Sequence, residues 1–483
     1  MSSANKVTSN FIWRLLERFG AQGVTLIVSI VLARLLEPAV YGTVAIITVF
    51  TTILQVFIDS GFGSALIQKK DADELDFSTI FWFNVSMCAL LYILLFLGAP
   101  AIASYYKRPE LTILVRVMGI ILIISGVKNI QLSYVSKKMI FKKFFFATLG
   151  GTITAAFVGI FLAYSGFGVW AIIIQNIVNQ LIDTIILWIT VSFRPQLRFS
   201  FKRFWALFSF GWKMLLSGVI DTAYNQLSQM IIGKRYRSED LAYYNKGMQF
   251  PNLIVTNVNA SIDSVLFTTM AEVQDDRERV KSMTRRSIKI STFVMMPMMM
   301  GLAVCADSFI PLLLTEKWID SIFFLRIFCF TYAFYPIATA NLNAIKSLGR
   351  SDLFLKLEIA KKVVGFSAIF ATMFISVEAM AWSLIFTSIA AQIINAWPNK
   401  RLLNYSYTDQ LKDMLPQIGL SVLMGIPVYM IKMLGFNYWI TLMIQVPLGI
   451  ALYVGGAWML KVESFFYCMQ VGKQMISGLK RRK

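Results

Sequence analysis

The stretch "WRLLERFG", residues 13–20, sets Arg14, Glu17 and Arg18 directly before a long apolar run, "AQGVTLIVSIVLARLL". Spacings of three and four put all three on one face of a helix. Arginine presents a planar fork that matches phosphate geometry, and the glutamate tempers its charge. Two placements are open at this stage. Either the arginines snorkel out to an interface, or the charged face looks into a polar cavity inside a membrane. More charges and amides lie within apolar segments further on: Arg116, Lys128, Asp183, Lys213, Asp221 with Asn225, and Asp263. A charge at the bilayer centre costs about 3 kcal/mol on insertion scales, so such groups face a polar interior. The chemistry open to this set is the binding of phosphate and hydroxyl groups. Asp183, Asp221 and Asp263 add acids that can carry H+ or Na+. Lys–Asp pairs that lock helices together are the plainer reading of the same charges. Amides in "QNIVNQ" (175–180), "NQLSQ" (225–229) and "NLIVTNVNAS" (252–261) read first as contacts between membrane helices.

The segments that must position these residues are membrane helices. Of 483 residues, 57% are hydrophobic and only 15% charged, against about a quarter charged in soluble globular chains. Apolar runs long enough to span a bilayer recur along the chain. The net charge of +20 fits the excess of Lys and Arg in cytoplasmic loops, not nucleic-acid binding. With no histidine in the chain, Ser-His-Asp chemistry, histidine zinc sites and histidine proton relays are excluded. The four cysteines stand apart from one another, so no disulfide framework or CxxC site is indicated. No GxxxxGK[ST] loop occurs, so the chain is not expected to hydrolyse ATP. These exclusions lead us to expect no enzyme, no metal and no cofactor, with Na+ or H+ coupling left open. The first apolar run is expected to be a retained helix, not a cleaved signal.

About fourteen spans are expected, near 11–35, 41–61, 78–103, 111–131, 146–164, 168–192, 205–232, 247–270, 288–307, 321–344, 354–376, 379–396, 414–432 and 438–459. With the N-terminus inside, the basic clusters "SKKMIFKK" (136–143), "RPQLRFSFKR" (194–203), "RERVKSMTRRSIK" (277–289) and "KRRK" (480–483) all fall on the inner side. Both termini are then cytoplasmic. A weak internal repeat relates "ARLLEPAVYGTVA" (33–45) to "GKRYRSEDLAYYN" (233–245) at an offset of 200. Two helical lobes are a known transporter plan. The expected division is a first lobe over 1–204, a second over 205–405, and two further spans with a basic tail over 406–483.

Several stretches carry a resemblance. "YGTVAIITVFTTILQVFIDSGFGSALIQKKDADELDFSTIFWFN" (41–84) is the longest, and "GSALIQKKD" (63–71) is its most specific piece. "SGFGVWAIIIQNI" (165–177), "RPQLRFS" (194–200), "LAYYNKGMQFP" (241–251), "EKWIDSIFFLRIF" (316–328) and "SLGRSDL" (347–353) follow in order. Over roughly residues 10–400 the chain resembles bacterial polysaccharide flippases, Wzx-like and teichuronic-acid-exporter-like, of the multidrug/oligosaccharidyl-lipid/polysaccharide exporter superfamily. The resemblance implies an all-α membrane protein with two six-helix lobes around a central cavity and two C-terminal helices. It implies export of an undecaprenyl-diphosphate-linked oligosaccharide from the inner to the outer leaflet of the bacterial inner membrane. Arg14 and Arg18, and by the loose repeat Lys213, match cavity cations thought to hold the diphosphate. Many relatives carry an aspartate where "LSQMIIGK" has Ser228.

The resulting expectation is a flippase working by alternating access for capsule, exopolysaccharide, colanic acid or O-antigen assembly. A polysaccharide polymerase and export machinery are its expected protein partners. Arg116, Lys128, Asn225 and Asp263 join Arg14, Glu17, Arg18, Lys213 and Asp221 as candidate substrate contacts. Two alternatives stand beside this expectation: a multidrug/cation antiporter of the same superfamily, and a non-transporting component of a glycan polymerase complex. An antiporter for cations favours an acidic cavity, whereas the charges here lean basic.

Overall fold

The computed structural model describes residues 3–480 except 60–62, 64, 65, 68 and 70. Within the described helices, the side chains of Arg14, Glu17, Arg18 and Lys213 lie outside that description. Among the described residues there is no strand. In chain order the helices are α1 (Ser3–Leu35), α2 (Pro38–Asp59), α3 (Glu74–Tyr106), α4 (Leu111–Met118), α5 (Ile120–Lys138), α6 (Phe141–Tyr164), α7 (Val169–Thr190), α8 (Phe201–Arg235) and α9 (Ser238–Glu272). They continue as α10 (Arg277–Leu314), α11 (Ser321–Ala333), α12 (Tyr335–Ser347), α13 (Ser351–Thr372), α14 (Val377–Leu402), α15 (Tyr407–Met430), α16 (Tyr438–Met459) and α17 (Glu463–Lys480). Each expected span falls on one helix, except that the fourth falls on the pair α4–α5 and the tenth on α11–α12. Pro336 at the start of α12 has no N–H to continue the preceding helix.

Ten segments among the described residues are long and apolar enough to cross a membrane. Their outer surfaces are apolar too: Phe157, Phe161, Ile189, Trp397 and Met443 are each about two-thirds exposed or more. The chain is a multi-pass membrane protein. α1, α8, α9 and α13 fall outside those ten. Three of them hold Arg14, Glu17, Arg18, Lys213, Asp221 and Asp263, and α13 carries Lys356, Glu358, Lys361 and Lys362.

The chain packs as two compact units, residues 1–242 and 243–483. That boundary lies one helix later than the lobe boundary expected at 204/205, because α8 packs against α2 and α3. The first unit rests on two apolar clusters. One gathers Phe77, Ile80, Phe81, Ile130, Leu187 and Phe204; the other gathers Val28, Leu32, Val44, Ala156, Ala171 and Ile172. α6 presents Ala147, Gly151, Ala155, Gly159 and Ala163, buried and four residues apart, to α7 and α1. Small residues in a stripe let membrane helices approach closely. A Cβ on Gly151 would stand 2.8 Å from the Asn179 carbonyl oxygen, so only glycine fits there. That contact fixes the rotation of α7, and with it the direction of the α7 amides.

The second unit is built on α10, which packs against α11, α15 and α16. A buried amide ring joins three helices: Asn341 Nδ2 donates to Gln410 Oε1 at 2.9 Å, and Gln410 Nε2 and Asn399 Nδ2 donate to Asn341 Oδ1 at 2.9 and 2.7 Å. Arg285 grips Asp413 with both forks at 2.7 Å, and Tyr405 Oη donates to the same carboxylate at 2.9 Å.

Candidate functional site

The first unit holds a cavity of about 670 Å³, walled by α2, α4, α5, α7 and α8. α2 contributes Thr51, Thr52 and Gln55; α5 contributes Ser125, Lys128 and Asn129. α7 contributes Asn176, Asn179 and Gln180, and α8 contributes Thr222. Residues 176, 179 and 180 lie three and four apart, so they share one helix face. The glycines of the α6 stripe meet α7 at Gln175, Asn179 and Asp183, so Asn179 stands where the helix contact borders the cavity. Apolar contact comes from Val56, Met118, Ile121 and Leu132. A volume of this size is within the range of about 300–1,000 Å³ that suits small ligands.

Lys128 is the one charged residue among the described residues that line the cavity. Its Nζ lies 2.5 Å from Asp183 Oδ2, with side chains only 12% and 7% exposed. Lys128 Nζ also donates to Gln180 Oε1 at 2.9 Å, and Gln180 Nε2 donates to Ser125 Oγ at 2.8 Å. A chain of contacts thus runs Asp183–Lys128–Gln180–Ser125 across α7 and α5. Asp183 Oδ1 is buried and accepts no hydrogen bond, so Lys128 is the partner that compensates this carboxylate. Asn129 Nδ2 donates to the Ile58 carbonyl at 2.5 Å. Asn176 and Asn179 make no side-chain hydrogen bond to another described residue. A carboxamide withdrawn from water without a partner costs roughly 1–3 kcal/mol, so this wall is built to meet water or a polar ligand.

The structure brings together two of the residues singled out in the sequence, Lys128 and Asp183, as a pair. The others stand apart from them. Arg116 is not among the residues lining this cavity: its Nε donates to the Phe96 carbonyl at 3.2 Å and its guanidinium sits 4.2 Å above the Phe96 ring. Asp221 and Asn225 lie on the exposed side of α8, where Asn225 Nδ2 donates to Asp221 Oδ2 at 3.2 Å; Thr222 beside them lines the cavity. Asp263 belongs to the second unit and accepts from Asn343 Nδ2 of α12 at 2.8 Å. The side chains of Arg14, Glu17, Arg18 and Lys213 lie outside the described residues. Sequence reasoning missed Gln55, Ser125 and Asn129, whose only signal is a single polar side chain in an apolar helix. It read "QNIVNQ" chiefly as helix contacts, although the spacing of Asn176, Asn179 and Gln180 already marks a polar face.

Three comparisons bear on this arrangement. A family model described as polysaccharide biosynthesis protein matches residues 31–323. The chain is 25% identical over 390 residues to the teichuronic acid biosynthesis protein TuaB of Bacillus subtilis, covering 78% of each. It is 24% identical over 392 residues to the succinoglycan biosynthesis transport protein ExoT of Rhizobium meliloti, covering 80% of this chain and 79% of that one. Among solved structures, the lipid II flippase MurJ in an inward closed conformation shares the fold, with a TM-score of 0.74 at 15% identity over 97% of this chain and 100% of that one.

Proposed function

The chain belongs to the polysaccharide biosynthesis protein family, whose model matches more than half of its length, and we propose that it is a flippase for a lipid-linked oligosaccharide. The observation that carries this reading is a cavity rich in amides and hydroxyls inside a unit whose outer surface is apolar. Such a cavity shelters the hydrophilic head of a lipid while its chain stays in the bilayer. The relatives named for teichuronic acid and succinoglycan support a cargo on the way to surface polysaccharide. In this reading the cargo is a polyprenyl diphosphate carrying a sugar repeat unit. Arg14, Arg18 and Lys213 meet the diphosphate, whose geometry suits cations and above all arginine. Glu17 restrains those arginines. Transport is by alternating access, from the cytoplasmic to the outer leaflet of the plasma membrane. Moving a negative charge outward gains roughly 2.3 kcal/mol per 100 mV of inside-negative potential. The basic loops place both termini in the cytoplasm.

The test is made in a strain lacking the chain. Labelled polyprenyl-diphosphate glycan is expected to accumulate on the inner leaflet while surface polysaccharide is lost, and the intact chain restores export. Arg18→Ala and Lys213→Ala, at equal protein levels, are each expected to lower export at least tenfold. Normal surface glycan in the deletion strain, with no lipid-linked sugar retained, overturns the flippase reading. Full export by both variants overturns the cation cradle alone.

A further inference from the structure

The cavity of the first unit carries a statement about which part of the cargo it holds, and this rests on the flippase reading above. Among the described residues its wall contains one cation, Lys128, and that cation is spent on Asp183 at 2.5 Å. The pair leaves the described wall without net fixed charge. What remains toward the space is the amide face of Asn176 and Asn179 with Gln55 and Thr52 from the facing helix. A carboxamide both donates and accepts, as a hydroxyl group does, so the two are natural partners. A carboxylate-bearing ligand would find acceptor oxygens on this wall but, among the described residues, no uncompensated cation. A diphosphate would find the same lack. We infer that this cavity is the sugar subsite: it takes an uncharged, hydroxyl-rich sugar ring of the repeat unit and disfavours a uronic or otherwise acidic sugar. The Lys128–Asp183 pair sets that preference by keeping the site neutral, and Lys128 orients Gln180 at 2.9 Å while making no demand for a phosphate. The diphosphate and the sugar are then read by different residues.

The preference is testable with the full chain purified in detergent and three soluble probes: farnesyl diphosphate, farnesyl-diphosphate-linked glucose and farnesyl-diphosphate-linked glucuronic acid. The glucose probe is expected to bind at least tenfold more tightly than the glucuronic acid probe. The double variant Asn176→Ala/Asn179→Ala is expected to lose tenfold in affinity for the glucose probe while farnesyl diphosphate binds unchanged. Asp183→Asn releases the charge of Lys128, so the glucose-to-glucuronic preference should fall at least fivefold. Circular dichroism and the unfolding midpoint establish that each variant is folded, and Asn176→Gln, which keeps the amide, checks the assignment if the double alanine variant fails to fold. Equal or tighter binding of the glucuronic acid probe to the unaltered chain overturns the inference. So does an unchanged preference in the folded amide variants. If all three probes bind alike, the sugar subsite falls and the flippase reading stands; if none binds, both fall.

Discussion

Lys128 and Asp183, fifty-five positions apart on α5 and α7, meet at 2.5 Å with little exposure. Their types predicted polar function in an apolar setting, yet nothing in one chain's spacing says which charges will face each other across helices. Arg116 shows the same limit. Its packing over Phe96 depends on where α3 and α4 lie, and no local pattern encodes that. By contrast, the i, i+3, i+4 spacing of Asn176, Asn179 and Gln180 lies within one segment and marks a face, although on sequence alone the amides there read chiefly as helix contacts. The buried pair makes a sharp prediction. Lys128→Met strands the Asp183 carboxylate, whose Oδ1 already lacks a hydrogen bond, and breaking one partner of a buried pair costs about 3–5 kcal/mol. Adding Asp183→Leu removes the stranded charge and is expected to recover most of that loss. The unfolding midpoints of the two variants in detergent check this, and a double variant no more stable than the single one would show that the lysine's packing matters more than its charge.

At the scale of elements, the stretch "GSALIQKKDADELDFS" holds the most specific piece of the resemblance, and the structure gives a role to Lys69, Asp73 and Asp76 within it. Asp73 caps α3: its Oδ1 accepts from the Asp76 amide at 3.0 Å, and Asp76 Oδ2 accepts from the Asp73 amide at 3.2 Å. Lys69 reaches Asp76 at 2.6 Å. Arg203, at the start of α8, bonds Asp73 and lies 3.3 Å from Asp76. Lys137, at the end of α5, donates to the carbonyls of Leu66 and Lys69. Three resemblance or charge motifs that are far apart in sequence therefore converge on one loop. The hydrogen bond from Arg203 holds the Asp73 carboxyl well below the usual carboxylate range. A carboxylate with a depressed folded value contributes stability above its unfolded value, near 4, and loses it as pH falls toward the folded value. The gap in unfolding midpoint between the unaltered chain and Arg203→Gln is therefore expected to be constant from pH 8 to pH 5 and to close below about pH 4. A gap that stays constant into the acid range would mean the pair is not linked to Asp73 ionisation. Removing the cap itself, by Asp73→Ala, is expected to cost about 1 kcal/mol.

At the scale of the whole chain, the weak repeat proves structural in its order of elements. α1 ends at Leu35 and α2 begins at Pro38; α8 ends at Arg235 and α9 begins at Ser238. Those boundaries are offset by 200, the offset at which the two sequence segments align. The fourth span after each starting point is broken, at Gly119 and at Phe334. So the order of the helices was legible from apolar runs and helix-end chemistry. The grouping of α8 with the first unit was not, because apolar periodicity says that a helix is covered and not by which neighbour. The fourteen spans expected from the sequence imply a topology that can be tested. An even number would return the chain to its starting side, and the basic loops lead us to expect that side to be the cytoplasm. Cysteine placed at Ser165, between α6 and α7, or at Phe436, between α15 and α16, is then expected to react with a membrane-impermeant maleimide in intact cells. Cysteine at Asp275, between α9 and α10, is expected to react only after the cells are opened. These reporters belong in a chain whose own Cys88, Cys305, Cys329 and Cys468 are replaced by serine and whose export is intact. Because each position is separated from the next by a different number of spans, one missing or extra crossing would switch the label at every position beyond it. Uniform labelling at Ser165 and Asp275 would therefore break the alternation on which the cytoplasmic placement of both termini depends.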